Sequence, residues 1–372
     1  MRFSDNQKAF LELVRSGLWE KKAQLSQFEK VDYEEVMRLA EEQSVVGLVT
    51  AGLEHIDVRD QKDDGGGVPS QEDLLQFVGQ SLQIEQVNKD MNAFVAELIE
   101  KLRSANVYGL LVKGQGVAQC YEKPLWRTSG DIDLLLSEEN YKKAKEVLAP
   151  IADEVATENE ATKHQALVIK DFEVELHGGM PFMLSKRVDK VIDNTLRDCF
   201  NGGNVSTWQN GNTTVFVPAP DNHIILIFTH FLHHFFIEGV GLRQICDWCR
   251  LLWTYRNELD IRLLEKRIRK MGLMSEWKVF GALAVNTLGM PEEAIPFYND
   301  RWKKKGERVL KRVLECGNFG HNNDLSYRVK YSGMKYKMVA MWRRFIDFAS
   351  LVPIFPVDTP RFFVTYVLGK VR

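Results

Sequence analysis

Arg127-Thr128-Ser129-Gly130-Asp131-Ile132-Asp133-Leu134-Leu135-Leu136 is the stretch on which the reading of this chain turns. Its second half is an apolar run of strand length, and a strand sends alternate side chains to opposite faces. Asp131 and Asp133 therefore share one face, while Ile132 and Leu134 bury on the other. Carboxylates this close repel unless a cation lies between them or one of them holds a proton. An aspartate pair by itself also suits a solvated strand end, so its surroundings decide.

Working outward, Val107–Val112 reads as a buried strand and Lys113-Gly114-Gln115-Gly116 as a turn whose backbone N–H groups can approach a phosphate. Val117–Tyr121 suits a short helix and Glu122–Gly130 a loop; Ser137 caps a helix through Leu148. Ala166–Ile169 and Phe172–His177 are strands joined by Lys170-Asp171. Glu173, Glu175 and His177 alternate with Val174 and Leu176, so either glutamate can be a third acid on the same face as His177. Two Mg²⁺ or Mn²⁺ ions about 3.5–4 Å apart could be bridged by such an acidic set.

The segment from Val112-Lys113-Gly114 through Asp131-Ile132-Asp133-Leu134-Leu135 resembles the polymerase-β-like nucleotidyltransferase superfamily. Glu175-Leu176-His177 and Gly241-Leu242-Arg243-Gln244-Ile245-Cys246-Asp247 make it more similar still to a bacterial family of uncharacterised nucleotidyltransferases. That resemblance spans roughly residues 75–260. It implies Mg²⁺-dependent (or Mn²⁺-dependent) transfer of a nucleoside monophosphate from an NTP, ATP included, to an unknown acceptor. It also implies Asp131, Asp133 and Glu175 as metal ligands and catalytic carboxylates, with Gly114 and Gly116 in the phosphate-facing turn. The superfamily's turn usually carries a serine, which this one lacks; Lys113, Arg127 and Ser129 are the residues left to meet the phosphates. His177, His230, His234 and Arg243 are candidates for the acceptor side. The alternative is a catalytically inactive module of the same fold that binds a nucleotide or a partner.

Two other constellations compete. His230 and His234 share a helix face as in zinc sites, but the intervening residues include no glutamate, which favours histidines lining a seam between domains. Cys246-Asp-Trp-Cys249 is formally a Cys-x-x-Cys, yet it lies inside a helical pattern and has no second pair.

The flanks are helical. Residues 7–19 and 33–53 have apolar positions at three- and four-residue spacing. After the loop Asp63–Asp73, with Ser70 and Asp73 as a capping box, a long helix runs to about Ser104. Its apolar stripe comprises Leu74, Leu75, Val78, Leu82, Met91, Phe94, Val95, Leu98 and Leu102. Beyond a strand-like Thr213–Val217 and Pro218, Asp221 caps a helical pattern over 221–257, with more at 260–271, 276–288, 301–315 and 329–350. The fold class is therefore α+β: a helical N-terminal region at 1–105, a small mixed nucleotidyltransferase sheet at 106–218 and a helical C-terminal domain at 219–372.

Composition narrows the class. Among 372 residues, 45% are hydrophobic and 27% charged, within the globular range. A net charge of -2 does not indicate non-specific nucleic-acid binding, although Lys303–Arg344 interleaves basic residues with Tyr327, Tyr331, Tyr336, Trp342 and Phe345. That pattern suits RNA, an anionic lipid surface or a solvated helix face. Five thinly spread cysteines argue against a disulfide framework, and no apolar run reaches bilayer-spanning length. These features predict a soluble cytoplasmic protein.

Overall fold

The computed structural model describes residues 3–28, 30–56, 67–182, 184–323, 326, 330 and 332–371. Residues 63–66 of the expected loop, and Tyr327 and Tyr331 of the basic-aromatic stretch, lie outside the described residues.

Three helices begin the chain: α1 (Asp5–Trp19), α2 (Tyr33–Glu42) and α3 (Val46–Glu54). α1 and α3 cross closely because Gly17 and Gly52 have no side chains. A Cβ on Gly17 would lie 2.0 Å from the Leu48 carbonyl oxygen, and one on Gly52 2.2 Å from that of Leu13. The long α4 (Gln71–Ser104) starts at the expected capping box, with Ser70 N–H donating to Asp73 Oδ2 at 2.9 Å and Asp73 N–H to Ser70 Oγ at 3.1 Å. The expected stripe holds only in its second half. Met91, Phe94, Val95, Leu98 and Leu102 are buried, but Leu74, Leu75, Val78 and Leu82 are exposed, Leu75 at 66%. Phe77 and Ser81 take the inward positions instead, Ser81 Oγ donating to Thr50 Oγ1 of α3 at 2.7 Å.

The sheet contains β1 (Gly109–Leu111), β2 (Ile132–Leu136), β3 (Glu154–Val155), β4 (His164–Ile169) and β5 (Phe172–His177), in the order β1-β2-β5-β4-β3. Only β2 and β5 run parallel. α5 (Gln115–Ala118) follows β1, and α6 (Glu138–Leu148) is capped by Ser137. Lys170 and Asp171 both take positive φ, as a tight hairpin turn requires. The apolar side of the sheet, with Ile132, Leu134, Val174 and Leu176, packs against the second half of α4 and against Tyr141 and Leu148 of α6.

α7 (Lys186–Phe200) and a hairpin of β6 (Val205–Asn210) and β7 (Thr213–Pro218) follow. α8 (Pro220–Ile237) begins with proline in its first turn, where no N–H is needed. The helical pattern over 221–257 divides in two, since α9 (Leu242–Tyr255) starts afresh after Gly239, whose φ is 131°. α10 (Ile261–Met271), α11 (Met274–Asn286), α12 (Lys303–Cys316), α13 (Gly333–Leu351) and α14 (Asp358–Val371) complete the chain.

The helical flanks share one core: Phe10, Leu13 and Leu18 lie in the same apolar cluster as Phe228, Trp248, Trp277 and Phe280. Polar ties cross the same boundary. Trp19 Nε1 donates to the Leu288 carbonyl at 2.5 Å and Leu242 N–H to Gln43 Oε1 at 3.0 Å. Packing of this kind fixes α8 and α9 opposite the carboxylate face of the sheet.

Candidate active site

Asp131 immediately precedes β2, and Asp133 lies within it. The parallel ladder pairs Asp133 with Glu175 of β5, and the alternation along both strands turns their side chains to one face. Carboxylate oxygens of Asp131, Asp133 and Glu175 all lie within 4.8 Å of one another. Glu173 alternates onto the same face but sits nearer the start of β5 and is exposed.

Lysine and histidine side chains meet these acids. Lys113 Nζ lies 2.6 Å from Asp133 Oδ1, and His177 Nε2 lies 2.8 Å from the same oxygen and 3.3 Å from Glu175 Oε2. His164, opposite His177 in the hairpin, brings its Nε2 to 3.4 Å from Glu175 Oε2. Burial works against the charge on Asp133, but Lys113 and the His177 bond outweigh it and hold the pKa low. Glu175 is also held low, against burial, by bonds from His164 and His177 and by the charge of Lys113. Asp131 moves the other way, raised first by the charge on Asp133 and then by burial. Lys113 stays protonated: burial opposes its charge, and Asp133, Asp131 and Glu175 together raise its pKa.

These residues fit a hard divalent cation. The set is all-oxygen and anionic, as Mg²⁺ or Mn²⁺ requires, and Asp133 Oδ2 is buried without a hydrogen-bond partner. His164, Glu175 and His177 form a second group with metal-ligand spacing that shares Glu175.

Asp131 and Glu175 line one wall of a cavity of about 660 Å³ between the sheet and helices α8 and α9, with Asp133 buried behind them. Lys113, Gly114, Arg127, His177, His230, His234 and Arg243 line it. Gly114 takes φ 57° and ψ -121°, a conformation that disfavours a Cβ. Gly116 is not a lining residue. It packs inward, where a Cβ would meet Val217 and the Leu111 carbonyl oxygen. Gln115, in the turn that lacks a serine, turns into the protein. Its Nε2 donates to Asn88 Oδ1 at 3.2 Å and its Oε1 accepts from Ser129 Oγ at 2.9 Å. Ser129 is thereby held beside Arg127 rather than in the cavity lining.

Arg127 makes a bidentate pair with Asp247 of α9, Nε to Oδ1 at 2.9 Å and Nη2 to Oδ2 at 2.7 Å. Tyr121 Oη donates to the same carboxylate at 2.8 Å. Arg243, one turn before Asp247, donates through Nη1 to the Thr128 carbonyl at 2.8 Å, but its buried Nε has no partner. Burial and the neighbouring Arg127 lower its pKa to about 10, so it remains charged at neutral pH. On α8, His230 Nε2 and His234 Nε2 are 3.1 Å apart, and Glu238 Oε2 accepts from His234 Nδ1 at 2.9 Å. Burial and the charge of Lys113 drive the His230 pKa well below the usual range, so His230 is neutral.

Sequence reasoning did not single out His164, Asn88, Tyr121 or Asp247 as site residues. His164 had a usable signal: a two-residue turn at Lys170-Asp171 pairs position 177 with position 164. The others answer to no local pattern. Cys246 and Cys249 are buried, free and raised in pKa by burial, the opposite of a reactive pair.

Residues 29–289 match a family described as uncharacterised nucleotidyltransferases, and the chain belongs to that family. No curated protein and no solved structure matches the chain.

Proposed function

We propose that this member of the nucleotidyltransferase family transfers a nucleoside monophosphate from an NTP to an acceptor hydroxyl or phosphate. The observation that carries the reading is the convergence of Asp131, Asp133 and Glu175, the first and last of which line a cavity that Lys113, Arg127 and Arg243 also line. Mg²⁺ or Mn²⁺, held by the three carboxylates, would neutralise triphosphate charge and make the acceptor oxygen easier to deprotonate. Lys113 and Arg243 hold phosphate oxygens, the guanidinium through donors that its protein partners leave unused. Gly114 lets the chain turn tightly beside them. Glu175 takes the acceptor proton as the acceptor oxygen bonds to the α-phosphorus and the α–β bridging bond breaks, releasing pyrophosphate. His177 positions Asp133 and Glu175 by hydrogen bonding to both. His230, which is neutral, and His234, both on the facing helix, orient the acceptor. Positioning and charge neutralisation supply most of the catalysis in such transfers.

A second reading follows from Lys113. Its ammonium already sits against Asp133, as a built-in cation can in a module that binds a nucleotide without turning it over. Incubating the protein with each labelled NTP, Mg²⁺ or Mn²⁺ and a lysate separates the two. Pyrophosphate release with label on an acceptor supports the enzyme; calorimetric NTP binding without release under every condition supports the silent module.

A further inference from the structure

Helices α13 and α14 carry an outer face rich in exposed apolar side chains. On α13, Met334, Met338 and Trp342 recur at four-residue spacing, and Met341, Phe345 and Ile346 fall on the same side of the helix. Met334 is 72% exposed and Trp342 61%. Trp342 and Phe345 stack with ring centroids 5.6 Å apart, and Phe363 of α14 helps to form a groove with Met338 and Met341. Single exposed apolar side chains are ordinary, but a contiguous patch marks an interaction site.

Charge indicates what covers it. Residues 332–346 carry Lys335, Lys337, Arg343 and Arg344 and no aspartate or glutamate, in a chain whose net charge is -2. At 3.6 residues per turn, Lys337 borders the apolar face beyond Met341 while Lys335 falls beside Trp342 towards its opposite edge, and both are exposed. The first acid beyond, Asp347, already meets Arg312 and Arg344. A two-fold dimer through this face would set the same cations against themselves. An apolar stripe flanked by lysines, with an aromatic ring among its exposed members, matches a headgroup–acyl boundary. No helix among the described residues is long and apolar enough to cross a membrane, so the hairpin has the character of a surface element.

We propose that the α13–α14 face docks the protein on an anionic lipid bilayer, with Met334, Met338, Trp342 and Phe345 entering the acyl boundary and Lys335 and Lys337 meeting the headgroups. This assignment is independent of the chemistry in the cavity. The test is sedimentation of the full chain with vesicles of phosphatidylcholine alone or mixed with phosphatidylglycerol. Partitioning is expected to be at least about ten-fold stronger on the anionic vesicles and to weaken with added salt. Trp342→Ser, and separately Lys335→Glu with Lys337→Glu, should each lower it by about ten-fold or more while leaving the melting temperature unchanged. Equal partitioning on both vesicles, absence of binding to the anionic ones, or wild-type partitioning by the variants overturns the assignment. A concentration-dependent dimer that Trp342→Ser abolishes gives the face to a second copy and overturns it too.

Discussion

Asp133 and Glu175 are paired residues of the parallel β2–β5 ladder, and that pairing brings them together with Asp131. Asp133 is 1% exposed and its Oδ1 receives both Lys113 and His177, while Oδ2 is left without a partner. A buried carboxylate oxygen with no donor is costly unless something else satisfies it.

Asp133→Asn keeps the side-chain shape and removes the charge. NTP turnover should fall by about 10³-fold or more, since the carboxylate acts on charge that develops in the reaction. Pyrophosphate release measures it, with the circular dichroism spectrum as the control for folding. Turnover close to wild type in a folded variant would end the assignment of Asp133.

Mg²⁺ or Mn²⁺ should raise the melting temperature of the wild-type protein, because a ligand that binds only the native state stabilises it by mass action. At about one hundred times Kd the gain is roughly 2.7 kcal/mol. Glu175→Gln should lose most of that gain, and so should Asp131→Asn. An unchanged metal response in both variants would place the cation elsewhere.

Asp247→Ala should destabilise the fold strongly. It leaves Arg127, buried and otherwise tied only to Thr128 and Ser129, without its counter-charge. Breaking a buried pair from one side costs about 3–5 kcal/mol. Urea unfolding gives the number, and replacing both partners, Arg127→Met with Asp247→Leu, should recover much of it. A loss under about 1 kcal/mol in the single variant would show that the pair is well solvated.

Stability should decline as the solution is acidified below neutrality. His223 Nε2 donates to the Val112 carbonyl at 2.7 Å, and burial lowers its pKa to about 4; His233 is likewise lowered by burial to about 4. An unfolded histidine titrates near 6.5, so between those values the unfolded chain binds more protons and stability rises with pH. The contribution is complete above about pH 6.5 and is lost as pH falls towards 4, by about 3 kcal/mol for each such histidine. Unfolding near pH 7 and near pH 5 measures the slope, which His223→Gln should make shallower. An identical slope in that variant would exclude His223 as a source.

Much of the site was legible beforehand because its logic is local. A strand's period of two puts Asp131 and Asp133 together, and Glu175 with His177. The turn at Lys170-Asp171 sets the β4–β5 register, and Ser70 with Asp73 starts α4. Local pattern could not tell which half of the α4 stripe would be buried. It marked Leu75 and Phe94 alike as apolar, and only the position of α3 exposes the first.

The sequence by itself determined that two aspartates share a strand face and that a glutamate and a histidine share another, because those relations follow from backbone geometry over a few residues. Only the tertiary structure decided that β2 lies beside β5, that Arg127 is committed to Asp247, and that His230 and Arg243 look across a cavity at the acids. Those relations join segments far apart in the chain. They depend on how the helical flanks close into a single core, a packing outcome that no local period encodes.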